Sequence, residues 1–175
     1  MRFTALLLAA TTMATVTSAQ SDKTRNNLIR EVRHELVMLP YYGVFDNLSF
    51  EVNGYSVTLR GQVTRPTLKS DAENVVKGIE GVEKVINEIA VLPPSPMDDR
   101  IRRATYRAIY GRPPLDRYAL SAVPSIHIIV SGGKVTLVGV ADNETDKNLA
   151  GLKANGVSGV FSVDNQLQVS DHGKK

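Results

Sequence analysis

The chain has 175 residues, 42% of them apolar, with no cysteine and a formal charge of +3 at neutral pH. Without cysteine there is no disulfide, no thiol catalysis and no lipidated cysteine of the bacterial lipoprotein type, so stability must come from packed apolar cores. The charge is too small to require a polyelectrolyte partner.

Residues 1–19 carry one charge, Arg2, then the apolar run FTALLLAATTMATV, and end in TSA, small residues of the kind signal peptidase reads. The run is about a dozen residues, short of the ~20 that cross a bilayer. This predicts a cleaved secretory signal peptide over 1–19 and a soluble mature chain with no transmembrane helix. From Asn26 to Leu39, Leu28, Ile29, Val32, Leu36 and Leu39 fall on one side of a helix. FEVNGYSVTLRGQV then alternates apolar residues on both sides of an Asn-Gly pair, a hairpin signal. Gly61 stands in its apolar face, where only a residue without a side chain fits.

Pro66–Lys77 reads as a helix from Leu68, Ala72, Val75 and Ile79. Gly78 follows, at a helix end that favours positive φ. A third strand should then turn Val85, Ile89 and Val91 inward, with Asn87 satisfying backbone groups at its start. LPPSP, Leu92 to Pro96, predicts a stiff linker, with the boundary between modules at 93–97. Arg100 to Tyr110 repeats the helical stripe with Ile101, Ala104, Thr105, Ala108 and Ile109. After a longer Pro-containing connection, IIVSGGKVTLVGVA repeats the hairpin, and a polar tail occupies 171–175.

Sliding the chain by 78 positions aligns 50–91 with 128–169 without a gap, and 15 of those 42 pairs are identical. Gly61/Gly139, Gly81/Gly159 and Asn87/Asn165 are among them. This is an internal duplication. It predicts an α+β fold of two tandem modules, 22–92 and 98–170, each α-β-β-α-β with a three-stranded sheet packed against two helices.

That order of elements, the V-x-L-x-G-x-V strand and the closing G-V-x-x-V-x-N-x-[IL]-x-V resemble the BON domain, found in osmotically inducible periplasmic proteins of bacteria. The resemblance covers nearly the whole mature chain in two copies. It implies binding to phospholipid membranes, a periplasmic location and a role in envelope maintenance or osmotic stress.

Chemistry is scarce. His34, His127 and His172 are widely spaced, and no carboxylate joins them at metal-ligand spacing. No nucleophile elbow or phosphate-binding glycine loop occurs. Glu80, Glu83 and Glu88 lie in a turn and on an alternating strand, as solvated surface would. No catalytic residue, cofactor or metal is expected, and the chain reads as a non-enzyme.

One stretch departs from this background. Between Asp98 and Arg117 six arginines face three aspartates, a local +3 that leaves the rest of the mature chain at −1. On the helix, Arg100, Arg103 and Arg107 lie opposite the apolar stripe, with Tyr106 and Tyr110 among them, Arg102 at one border, and Arg112 and Arg117 beyond. Arginine forks bind phosphate oxygens and tyrosine favours the membrane–water boundary. The expected lipid-binding set is Arg100, Arg102, Arg103, Tyr106, Arg107, Tyr110 and Arg112, docking on an anionic phospholipid membrane surface. Asp98, Asp99 and Asp116 are the groups able to neutralise it. The first helix mixes Arg25, Arg30 and Arg33 with Glu31 and Glu35 and reads as neutral. The alternative is a soluble periplasmic chaperone-like or adaptor protein that binds other envelope proteins. Export argues against nucleic acid.

Overall fold

A computed structural model describes residues 14–170, and side chains from residue 25 onward. Residues 1–13 of the expected signal peptide, His172 and the 171–175 tail lie outside the described residues. The first helix, α1 (Ala14–Val37), begins earlier than Asn26 and ends two residues short of Leu39. β1 (Asn47–Asn53) and β2 (Ser56–Val63) form the antiparallel hairpin, closed by Gly54 and Tyr55 with Gly54 at φ 59°. α2 (Pro66–Lys77) has the predicted bounds, with proline in its first turn, where a missing N–H costs nothing.

The third strand is two pieces, β3 (Lys84–Asn87) and β4 (Ala90–Val91), both parallel to the central β2. The second module repeats this as α3 (Pro96–Tyr110), β5 (Ile126–Ser131), β6 (Lys134–Ala141), α4 (Glu144–Asn155), β7 (Ser162–Asn165) and β8 (Gln168–Val169). Ser95 caps α3 by accepting from the Asp98 amide, so Pro96 and Met97, expected in the linker, belong to the helix. The long connection before β5 folds into a 3-10 helix, Leu115–Leu120, that buries Leu115 and Tyr118.

Each module has its own core. Leu28, Val32 and Leu36 of α1 meet Leu68, Ala72 and Val76 of α2 over Val57, Leu59 and Val63 of β2. In the second, Ile101 and Ile109 meet Ala150 and Ala154 over Val135 and Leu137. Burying each large aliphatic side chain stabilises by about 1.5–3 kcal/mol, which lets the fold stand without disulfides.

Two repeated devices explain the duplicated residues. Gly61 (φ 122°) and Gly139 (φ 112°) pass so close to the neighbouring strand that a Cβ would lie 2.0 Å from the carbonyl oxygen of Asn47 or Ser125. Asn87 donates from Nδ2 to the Lys69 carbonyl (2.9 Å) and accepts from the Ile89 amide (3.2 Å). Asn165 does the same with Lys147 (2.8 Å) and Leu167 (3.3 Å). Each asparagine thus ties a helix to the break in the third strand. The break shifts the alternation, so Ile89 is buried while Val91, expected inward, is exposed. Gly78 and Gly156 are right-handed helical (φ −79° and −77°), and the left-handed turn falls at Gly81 and Gly159 (φ 89°) instead.

The modules pack against each other. The 40–46 loop of the first straddles the outer edge of β5. The Ile128 amide donates to the Val44 carbonyl at 2.7 Å. On one side Tyr42 stacks on His127 (5.6 Å), whose Nδ1 lies 3.3 Å from the Gly43 carbonyl. On the other, Phe45 meets Tyr106 edge-on at 6.2 Å. His127 is buried, and burial holds its imidazole below the usual range, against the opposing pull of the Gly43 and Asp46 carbonyls and the Asp46 charge.

Candidate functional site

The basic helix α3 divides its arginines between two environments, and the open edge of β5 decides which goes where. Hairpin pairing points the amides and carbonyls of Ile126, Ile128 and Val130 away from β6. Unpaired backbone groups at a covered edge need partners. Tyr110 donates its hydroxyl to the Ile126 carbonyl at 2.5 Å, and Arg102 donates from Nη2 to the Val130 carbonyl at 2.7 Å. Together with the Ile128 bond to Val44, these three contacts occupy the edge. Arg102 and Tyr110, expected at a lipid surface, are therefore buried (5% and 6% exposed) and withdrawn from it. Burial pushes the Tyr110 phenol well above its ordinary value.

Two of the acidic residues are engaged as well, Asp98 inside the fold and Asp99 at its surface. Asp98 is buried and accepts from the amides of Gly132 (3.0 Å) and Gly133 (2.9 Å), pinning the start of α3 to the hairpin turn. Burial pushes its carboxyl up, but the two amides, Arg102 and Ser95 outweigh that and hold it below the usual carboxylate range. Asp99 pairs with Arg102. Arg117 turns away from the patch to Asp142 (3.2 Å) and Asp146, its guanidinium over the Tyr118 ring.

Arg100, Arg103, Arg107 and Arg112 remain exposed, and among the described residues none of them forms an ion pair. Of the three aspartates able to neutralise the helix, Asp98 is spent on the hairpin and Asp99 on Arg102, while Asp116 forms no ion pair among the described residues. Arg100, Arg103 and Arg107 rim a shallow groove floored by Ile101 and Ala104 and closed by Met97, Ser158 and Gly159. Tyr106 is about one-third exposed, its ring 4.9 Å from that of Tyr110 and in edge contact with Phe45. Met97 (50% exposed), Ser158 and Gly159 were not read from the sequence. Met97 stands one turn before Arg100, so a helix start placed at Pro96 would have revealed it. Ser158 and Gly159 arrive from the α4–β7 turn and carry no local signal.

The arrangement suits an anion that meets several guanidinium forks above a small apolar floor. Among the described residues no group of three or more His, Asp or Glu could hold a metal, and no helix is long and apolar enough to cross a membrane.

The family model described as the BON domain matches residues 25–93 and 115–171. The second match begins after α3, so the arginine face is a feature of this chain rather than of the matched segment. No curated protein matches the chain. Among solved structures, the C-terminal domain of CdsD, the structural protein of the type III secretion system of Chlamydia trachomatis, is 12% identical over 82% of this chain and 98% of its own, with a TM-score of 0.30. A second CdsD structure is 13% identical over 84% and 95%, also at 0.30. Neither is close enough to transfer a role.

Proposed function

From the premise that the chain belongs to the BON domain family, whose domains are known to bind phospholipid, we propose that it is a non-enzymatic exported envelope protein whose second module docks on anionic phospholipid membranes. Residues 1–19 direct export, and the mature chain acts in the periplasm, in envelope maintenance or osmotic stress. The carrying observation is the face of Arg100, Arg103 and Arg107 on α3, without an ion pair among the described residues because Asp98 is held by the hairpin amides and Asp99 by Arg102.

Lipid phosphates sit between these arginines, with Met97 and the exposed edge of Tyr106 entering the headgroup layer and Arg112 adding charge at the far end of the helix. Each basic residue near an anionic surface contributes about 1 kcal/mol, so three or four give reversible, salt-sensitive attachment. The apolar stripe of α3 is committed to the core, which rules out deep insertion.

The test is co-sedimentation with phosphatidylglycerol-containing and purely zwitterionic vesicles at low and physiological salt. Binding should require the anionic lipid, weaken with salt and fall roughly tenfold or more in Arg103→Glu/Arg107→Glu. Equal binding by that variant, or no binding by either protein, overturns the reading.

A further inference from the structure

The two modules differ at one place that the lipid reading does not use, the outer edge of the first strand. In the second module that edge is filled by Arg102, Tyr110 and the Val44 carbonyl. Aligning the buried positions of the two first helices, Leu28 with Ile101, Val32 with Thr105 and Leu36 with Ile109, places Ile29 where Arg102 stands and Val37 where Tyr110 stands. Neither side chain can donate a hydrogen bond. The amides and carbonyls of Leu48, Phe50 and Val52 point outward from β1 as those of Ile126, Ile128 and Val130 do from β5. Ile29 and Val37 instead line an open groove between α1 and β1.

Tyr42 reaches the Leu48 backbone at one end of this edge, and Arg25 and Arg33 also line the groove, but among the described residues no backbone segment pairs with Phe50 as Val44 pairs with Ile128. The donor half of the contact seen within the chain is also present a second time. Counting back the same distance from the strand, Leu120, Ala122 and Val123 correspond to Tyr42, Val44 and Phe45. Leu120 is 87% exposed, Ser121 and Ala122 are exposed and Val123 is half-buried, so most of this segment is uncovered where its counterpart is engaged.

We infer that the 120–123 segment of one copy of this chain adds to the β1 edge of a second copy, repeating between molecules the contact that 42–45 makes with β5 inside one. The Phe50 amide donates to the Ala122 carbonyl, Leu120 lies over Ser49 as Tyr42 lies over His127, and Val123 enters the groove beside Val37. Strand addition of this kind draws its affinity from main-chain bonds and its selectivity from alternate side chains. Since donor and acceptor are different surfaces, the contact is head-to-tail and builds open chains or a ring rather than a closed two-fold dimer.

Sedimentation velocity of the purified protein over a concentration series, up to about 1 mM, tests this. The wild type should form dimers and larger species as concentration rises. Ile29→Arg/Val37→Tyr, which transplants the caps of the second module, should stay monomeric, as should Leu120→Glu/Val123→Glu. An equimolar mixture of the two variants retains one intact donor and one intact acceptor, so it should form a heterodimer and stop there. That outcome also shows that both variants are folded. A wild type that is monomeric throughout, self-association that either variant leaves unchanged, or a mixture that stays monomeric overturns the inference.

Discussion

The two modules share the residues on which their backbone geometry depends and differ most at their edges and solvent faces. Gly61 and Gly139 make the same close approach, and Asn87 and Asn165 make the same two bonds. By contrast, Arg60 of the first module bridges Glu51 and Glu88 across the outer face of its sheet, where the second module carries Val138, Ile129 and Gln166. The first helices diverge most. α1 offers Ile29 and Val37 to its strand, while α3 offers Arg102 and Tyr110. After duplication, the geometric requirements of the shared fold stay constant in both copies, while edges and faces are free to acquire separate roles.

The largest test of this comparison is at the paired glycines. Gly61→Val and Gly139→Val should each cost about 3 kcal/mol or more, from the clash with a carbonyl and the positive φ. Urea unfolding followed by far-UV circular dichroism reads the loss, and a mild effect in either module would break the equivalence. Next comes the contrast at the helix. Arg102→Met leaves the Val130 carbonyl and Asp99 without a partner and should cost about 2–4 kcal/mol. Ile29→Met, at the corresponding position, should cost less than about 1.5 kcal/mol. Similar losses from the two would mean that Arg102 does not cap the edge. Asn87→Ala and Asn165→Ala should each cost about 1–2 kcal/mol, through the amide of Ile89 or Leu167 left unmet.

The smallest effect concerns the joint between the modules. Burial holds the folded His127 below its unfolded value of 6.5, so an unfolded chain takes up a proton that the folded one refuses. Stability should therefore be flat in this term above pH 6.5. It should fall on acidification below that value, until the folded imidazole also protonates. His127→Phe keeps a ring against Tyr42 and should remove this slope. Thermal unfolding of both proteins between pH 5 and 8 checks it, and an unchanged slope would show that His127 stays neutral for no energetic consequence.

Much of this could be read along the chain because it depends on neighbours. The Asn-Gly and Gly-Gly hairpins, the Pro66 helix start, the periodicity of α2 and the recurring G-V-x-x-V-x-N pattern all express local backbone preferences or short contacts. Both limits of α1 and the start of α3 were less legible, since the apolar stripe does not mark them: α1 stops before Leu39, and α3 starts at a serine cap and a first-turn proline ahead of its stripe. Asn87 was correctly read as a backbone partner, but the kink it stabilises, which turns Val91 outward, arises from the Lys69 carbonyl of a helix 18 residues earlier in the chain.

The sequence alone determined that there are two α-β-β-α-β modules, that their cores are aliphatic, and that basic charge gathers on one helix. Only the tertiary structure decided which arginines are available to a partner. A helical wheel places Arg102 at the border of the charged face and Tyr110 within it, but their fate depends on β5, which follows 16 residues or more later. The outward carbonyls of Ile126 and Val130 must be satisfied once the helix covers them; Tyr110 and Arg102 supply the donors, and pairing with Asp99 offsets the cost of taking the Arg102 charge out of water. Arg100, Arg103 and Arg107, one step around the helix, meet no such demand and stay in solvent.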